Sequence, residues 1–233
     1  MTCWAVVPAA GVGRRMGADR PKQYLRLQGR RVIDWTLQAL LDHPAVAGVV
    51  VALAPDDPYW PTTEHADHPR VEVVAGGRER ADSVLNGLHH LAHKAASADR
   101  VLVHDAARPC LGRDDLDRLL HEADGPDGGL LAVPVRDTMK QADAQGRAQA
   151  TLDRSRLWHA YTPQLFPLES LRRALEGALA AGIAVTDEAS AMEWAGHRPK
   201  LVEGDPGNLK ITRPGDLALA EFYLAHGRAP FRG

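Results

Sequence analysis

The chain has 233 residues, enough to bury one sizeable core without requiring a second full domain. Its 28 Lys+Arg against 30 Asp+Glu leave a formal charge of -2, so no global field steers it toward nucleic acid or an anionic membrane, and any phosphate site has to be local. The longest apolar runs, such as Gly48 to Ala54, are far shorter than the roughly 20 residues of a bilayer span, and Met1 leads straight into a strand without a signal-peptide pattern. A cytoplasmic protein with no membrane or nucleic-acid partner is expected. Cys3 and Cys110 are too few for a zinc ribbon or a disulfide framework and sit in apolar surroundings.

In chain order, Cys3–Pro8, Val49–Leu53, Val71–Val74, Val101–His104 and Leu130–Val135 read as near-continuously apolar strands buried on both faces, the mark of a mostly parallel sheet. Helical spacing falls between them at Ile33, Leu37, Leu40 and Leu41, then at Val84, Leu88, Leu91 and Ala95, then at Leu116, Leu119 and Leu120. Strand and helix alternating with right-handed crossovers give an α/β fold, a doubly wound three-layer sandwich whose ligands bind at the carboxyl ends of the strands. Residues Arg136 to Gln164 break the alternation with two extended stretches around the polar turn Ala144-Gln145-Gly146. They predict a hairpin arm over 136–164 that projects from a single domain covering 1–233, and an identical subunit is the surface such an arm most often meets. An extra antiparallel edge of the main sheet is the alternative. Helices follow at Leu168–Ala181, Asp187–Ala195 and Asp216–Ala225, the last introduced by Pro214.

The first strand runs into Pro8-Ala9-Ala10-Gly11-Val12-Gly13-Arg14-Arg15-Met16-Gly17, where small residues let backbone N–H groups approach an anion. The loop lacks the Gly-Lys-Ser/Thr ending of a P-loop, and Met16 stands where a dinucleotide-binding loop needs its third glycine. Its mark is cationic density, with Arg14 and Arg15 followed by Lys22 behind the backbone-fixing Pro21; a triphosphate accounts for all three. Asp105, in His104-Asp105-Ala106-Ala107-Arg108-Pro109 at another strand end, is the candidate Mg²⁺ ligand, because that ion takes one or two carboxylates together with phosphate oxygens and water. Gly76-Gly77-Arg78-Glu79-Arg80-Ala81-Asp82-Ser83 offers glycines and a hydroxyl to a flat base, but on spacing alone a capped strand-to-helix turn is the preferred reading and only context promotes a base pocket. His89 and His93 fall off the buried stripe of their helix and the five tryptophans are not interleaved with basic runs, so neither set is read as a metal or nucleic-acid site.

Together with Pro21-Lys22-Gln23-Tyr24-Leu25, Pro134-Val135-x-Asp137-Thr138-Met139-Lys140, Asp153-Arg154-x-x-Leu157-Trp158, Thr162-Pro163-Gln164, Thr186-Asp187-Glu188-Ala189-Ser190-Ala191 and Asn208-x-Lys210-x-Thr212-Arg213-Pro214, these motifs closely resemble the 2-C-methyl-D-erythritol 4-phosphate cytidylyltransferases over nearly the whole chain. The resemblance implies a Rossmann-like nucleotidyltransferase fold. It also implies transfer of CMP from CTP to 2-C-methyl-D-erythritol 4-phosphate, giving 4-diphosphocytidyl-2-C-methyl-D-erythritol and pyrophosphate on the non-mevalonate route to isoprenoid precursors. By the same resemblance Arg15 and Lys22 are catalytic cations, Asp105 binds Mg²⁺ or another divalent cation, and Ala9, Ala10, Gly11, Gly77, Ser83 and Ala106 surround CTP. Arg108, Thr138, Arg154, Thr186 and Lys210 match contacts to the methylerythritol phosphate, with Arg154 and Lys210 also in the catalytic set. The resemblance further implies that the arms interlock in a homodimer and that Arg154 serves the neighbouring subunit's site. Arg78 departs from the pattern, standing where a smaller or acidic residue lies beside the cytosine.

A substrate phosphate is already an anionic nucleophile, so the reaction needs no Ser-His-Asp or Cys-His group, only charge neutralisation around the α-phosphate and departing pyrophosphate. A ribitol 5-phosphate cytidylyltransferase or another sugar-phosphate nucleotidyltransferase is the alternative within the class. A nicotinamide-dependent oxidoreductase lacks its third loop glycine, and an RNA-binding module lacks its basic face. The end at Gly233 predicts a chain without the downstream synthase domain of some relatives.

Overall fold

The structure, a computed structural model, describes residues 2–11 and 20–226. Strand β1 (Cys3–Pro8) is followed by a short ribbon, β2 (Arg26–Leu27) and β3 (Arg30–Arg31), and by α1 (Val32–Leu41). Then come β4 (Val46–Leu53), β5 (Val71–Ala75), α2 (Arg80–Ala92), β6 (Arg100–Val103), α3 (Arg113–Glu122) and β7 (Gly129–Pro134). A separate two-stranded sheet, β8 (Met139–Ala142) and β9 (Ala148–Leu152), precedes β10 (Trp158–Pro167), α4 (Leu168–Ala180), α5 (Glu188–Trp194), β11 (Lys200–Glu203) and α6 (Pro214–Ala225).

The central sheet has the order β11-β7-β10-β6-β1-β4-β5 and is parallel except for β10, which runs antiparallel to both neighbours. Its inner strands β1, β4, β6 and β7 are largely buried on both faces because each face has its own helices to cover it, whereas Val71–Val74, expected to be buried on both faces, lie in the edge strand β5 and are exposed or half-buried. Ala5 and Val7 of β1, with Val49 and Val51 of β4, meet Ile33, Leu37 and Leu40 of α1 and Leu116 and Leu119 of α3. Val6 and Val50 turn to the other side, toward Val84, Leu88 and Leu91 of α2, Leu171 and Leu175 of α4 and Met192 of α5. The three-layer α/β sandwich expected from the sequence is therefore the fold. Gly87 lets α2 lie directly on β1, since a Cβ there would stand 2.7 Å from Val6 Cγ1. A third cluster seats α6, through Ala220 and Leu224, on Leu27, Val32, Ala107, Cys110 and Ile211.

The apolar runs and helical periods match β1, β4 to β7 and α1 to α6 to within a few residues, including Pro214 as the first residue of α6. The reading of one hairpin from 136 to 164 needs a boundary correction. Its turn is present, with Gly146 at φ 77° closing β8 onto β9. Trp158–Gln164, however, belong to β10, whose Trp158, His159, Ala160 and Gln164 pair with β7, and Gln164 pairs with β6 as well. Neither an outlying arm nor an edge describes those residues, because β10 lies between two sheet neighbours. β8 and β9 are exposed along nearly their whole length. Cys3 and Cys110 are both buried and free, and burial pushes the Cys3 thiol up to about 12. Among the described residues no helix is long and apolar enough to cross a membrane.

Candidate functional site

The strand order reverses at β1, with β4 and β5 laid to one side and β6 to the other, and a ligand crevice opens at such a switch point. A cavity of about 270 Å³ lies there. Pro8, Ala9, Ala10 and Gly11 enter it from the end of β1, Gly77 to Arg80 and Ser83 from the turn between β5 and α2, and Asp105 to Ala107 from the end of β6. Lys22, Gln23 and Lys210 complete the lining. Among the described residues its four cations, Lys22, Arg78, Arg80 and Lys210, outnumber its two carboxylates, Glu79 and Asp105, so a chain with net negative charge presents a local positive cleft suited to a polyanion.

Backbone approach is built in at the two loops. A Cβ on Gly76 would fall 2.4 Å from Ala10 Cβ, so the loop after β5 can touch the loop after β1 there only as glycine, and one on Gly77 would fall 2.2 Å from Asp82 Cβ in the first turn of α2. Ser83 Oγ accepts from Gly77 N–H at 3.0 Å and donates to the Glu79 carbonyl at 3.1 Å. Asp82 Oδ2 accepts from Glu79 N–H at 2.9 Å. The capped turn and the glycine cradle are one structure, so the two sequence readings of this segment do not compete. Lys22 opens a short 3-10 turn, Lys22–Tyr24, behind Pro21, and its Nζ donates to the Ile211 carbonyl at 2.9 Å. Gln23, buried in the same turn, donates through Nε2 to the carbonyls of Ala9 at 2.6 Å and Gly11 at 3.1 Å.

Asp105 is the electrostatic centre. Its Oδ1 meets Arg80 Nε at 3.0 Å, and its Oδ2 meets Lys210 Nζ at 2.8 Å and Arg108 Nε at 3.5 Å. Burial alone would raise this carboxyl, but Arg80, Lys210 and Arg108 together hold it well below the usual carboxylate range. Arg80 in turn spends both terminal nitrogens on Glu188, Nη1 to Oε1 at 2.7 Å and Nη2 to Oε2 at 3.0 Å. The backbone beneath is fixed by a chain of bonds: Asp105 N–H donates to Thr162 Oγ1 at 3.0 Å, Thr162 O–H to His104 Nδ1 at 3.0 Å, and His104 Nε2–H to the Arg108 carbonyl at 3.2 Å. Burial lowers the His104 imidazole to about 4, and the neutral ring accepts at Nδ1 while donating at Nε2. The segment before α6 closes the underside. Asn208 Nδ2 donates to the Thr162 carbonyl at 2.8 Å, Arg108 Nη1 to the Asn208 carbonyl at 2.6 Å, and Ile211 N–H to the Ala107 carbonyl at 2.8 Å.

Of the residues singled out from the sequence, Ala9, Ala10, Gly11, Lys22, Gly77, Ser83, Asp105, Ala106 and Lys210 line this one cavity. Arg15 lies outside the described residues. Arg108 is buried behind the wall, its guanidinium 4.5 Å from the Tyr161 ring centroid. Thr138 and Arg154 are exposed at the base of the arm, where Arg154 Nη1 donates to the Arg136 carbonyl, and Thr186 is exposed ahead of α5; none of the three lines the cavity. Gln23, Arg80 and Glu188 carry no role in the sequence reading. Arg80 had a usable signal: it is the first residue of α2, where the helix dipole disfavours a cation, so an arginine there calls for nearby anions. Glu188 had none, because an acid in the first turn of α5 is ordinary.

His89 pairs with Glu176 and His90 with Glu72, and among the described residues no group of three or more His, Cys, Asp or Glu is arranged to hold a metal. Asp105 is a different kind of donor: one carboxylate on the cavity wall, already holding an exchangeable ammonium at Oδ2. That fits a hard divalent cation that shares its coordination between one carboxylate, phosphate oxygens and water.

The family model for 2-C-methyl-D-erythritol 4-phosphate cytidylyltransferase matches residues 3–226. A protein of that name from Pseudomonas putida (strain GB-1) is 62% identical over 216 residues, 92% of each chain, and one from Pseudomonas aeruginosa (strain UCBPP-PA14) is 64% identical over 225 residues, 96% of each chain. A solved 4-diphosphocytidyl-2C-methyl-D-erythritol synthase superposes with a TM-score of 0.84 at 40% identity, over 96% of this chain and 98% of that one. The Francisella tularensis 2-C-methyl-D-erythritol 4-phosphate cytidylyltransferase gives 0.83 at 35% identity, over 96% and 100%. With its fold, its cavity motifs and its sequence matched from first strand to last helix, the chain belongs to the 2-C-methyl-D-erythritol 4-phosphate cytidylyltransferase family.

Proposed function

We propose that the protein, one nucleotidyltransferase domain carrying an arm, transfers CMP from CTP to 2-C-methyl-D-erythritol 4-phosphate and releases pyrophosphate. The observation that carries the chemistry is the convergence of glycine-edged loops, Lys22 and Lys210 on Asp105 at the switch point of the sheet. Backbone at Ala9, Ala10, Gly11 and Ala106 borders the nucleotide, while Gly77 and Ser83 flank its base. Lys22, together with Arg15, neutralises the triphosphate as charge moves onto the departing pyrophosphate. Lys210, half-exposed at the cavity, faces the incoming phosphate, whose own oxygen attacks the α-phosphorus; no side chain has to accept a proton. When bound, Mg²⁺ held by Asp105 and phosphate oxygens supplies Lewis-acid charge neutralisation at the α-phosphate. Thr138, Arg154 and Thr186 are assigned to the acceptor, with Arg108 positioning the wall, and the exposed β8–β9 ribbon is the contact of a homodimer. Both substrates carry several charges that a bilayer excludes, which supports a cytoplasmic location.

Incubation with CTP, 2-C-methyl-D-erythritol 4-phosphate and Mg²⁺ is expected to release pyrophosphate, with far less from ribitol 5-phosphate or from GTP. Equal or better turnover of ribitol 5-phosphate overturns the acceptor assignment. Asp105→Asn is expected to raise the Mg²⁺ concentration for half-maximal rate on the order of tenfold, as a charged metal donor becomes a neutral one. An unchanged Mg²⁺ dependence in a folded variant removes Asp105 from the metal site.

A further inference from the structure

Among the described residues beside the cavity, the completely buried carboxylate is Glu188, at 0% exposure, and it is absent from the cavity lining. It reaches the site only through Arg80, across 108 positions of chain. The geometry is selective. A guanidinium presents one Nε edge and a fork of two terminal nitrogens. Glu188 takes the fork, so Asp105 receives the single Nε bond at 3.0 Å and keeps Oδ2 for Lys210 at 2.8 Å, with the buried Arg108 Nε farther off at 3.5 Å. Lys210 is 36% exposed and bound through one contact, whereas Arg80 is clamped by three.

We propose that Glu188 is a positioning residue: by occupying the Arg80 fork it keeps Arg80 from closing over Asp105, and so sets how readily Asp105 exchanges its ammonium partner for a divalent cation. This rests on Asp105 being the metal ligand. Without the Glu188 charge, the Arg80 fork turns to Asp105, where a bidentate pair with a carboxylate is the stronger arrangement; the metal then competes with a held arginine instead of a mobile lysine. The cationic wall facing the triphosphate is undiminished. Glu188 therefore acts on metal binding and leaves nucleotide binding alone, a separation that a purely structural ion pair does not produce.

The test uses the full-length protein and two variants, Glu188→Gln and the double variant Arg80→Gln/Glu188→Gln. The double variant removes both charges at once, so no buried carboxylate is left without its counter-charge and the protein stays foldable. CTP binding is measured by calorimetry in EDTA, and Mg²⁺ is then titrated into the CTP complex. Glu188→Gln is expected to raise the Mg²⁺ half-saturation about tenfold, with CTP affinity in EDTA within about twofold of the parent. The double variant reverses the pattern: Mg²⁺ half-saturation at or below the parent value, and CTP affinity in EDTA lower by about tenfold, because Asp105 has lost a competitor and the triphosphate has lost a cation. A parental Mg²⁺ requirement in folded Glu188→Gln, or losses of metal and metal-free nucleotide binding in step, overturns the proposal. If Glu188→Gln does not fold, a raised Mg²⁺ requirement in the double variant overturns it. Asp105→Asn run in parallel separates the two levels: if its Mg²⁺ dependence is unchanged the metal assignment itself fails, and if it shifts while Glu188→Gln does not, only the role of Glu188 fails.

Discussion

Lys22→Ala is expected to lower turnover by about 10²-fold or more while leaving the protein folded, the scale seen when one preorganised donor to a developing anion is removed. The side chain is half-buried and its ammonium donates to a backbone carbonyl, that of Ile211. The turn that presents it is held by other groups: Tyr24 N–H donates to the Pro21 carbonyl at 2.9 Å, and Gln23 is tied to the loop after β1. Truncation therefore removes a cation from the cavity and little from the fold. Arg15→Ala is expected to behave alike. Circular dichroism and melting temperature establish that the variants fold, and single-turnover kinetics with saturating CTP measures the chemical step. Folded protein with near-normal turnover would reduce Lys22 to surface charge.

Lys22→Ala and Arg154→Ala chains, each inactive alone, are expected to regain activity when combined in one dimer. Arg154 begins a 3-10 turn, Arg154–Arg156, at the foot of the β8–β9 ribbon, and it is exposed and absent from the cavity of its own chain. If the arm crosses to the partner, a two-fold axis gives a mixed dimer one site holding both lesions and one holding neither. With equal random reassortment, half the dimers are mixed and half of their sites are intact, so about a quarter of wild-type sites return. Refolding the two chains together and isolating the doubly tagged dimer verifies the exchange. A verified mixed dimer as inactive as its parents means that Arg154 works within its own subunit or not at all.

Most of the sheet was legible because its strands are buried on both faces and so read as unbroken apolar runs, and the cavity was legible because its loops are short, glycine-bearing and attached to those runs. β11 escaped notice: Lys200–Glu203 is a short edge strand with one buried residue, Val202, which leaves almost no pattern. β10 was merged with the arm because its first half is exposed or half-buried and its second half buried, so no local letter marks where the arm ends and the sheet resumes. The Arg80–Glu188 pair was illegible for a different reason. Arg80 at the start of α2 signals only that some anion lies nearby, Glu188 is unexceptional in the first turn of α5, and their meeting depends on how α2 and α5 pack on the same face of the sheet.

The segment leading into α6 sets the order in which the cavity can come into being. Lys210 supplies one of its cations, the Ile211 carbonyl receives Lys22, and Asn208 braces Arg108 and Thr162. A chain emerging from a ribosome presents the β1 loop almost at once and this segment nearly 200 residues later, judged from Gly11 and Asn208. Until residue 211 is free, Asp105 lacks the Lys210 ammonium at Oδ2 and Lys22 lacks the Ile211 carbonyl. A nascent or C-terminally clipped chain that stops short of this segment therefore carries the loops after β1, β5 and β6 without the Lys210 ammonium and the Ile211 carbonyl that complete the site.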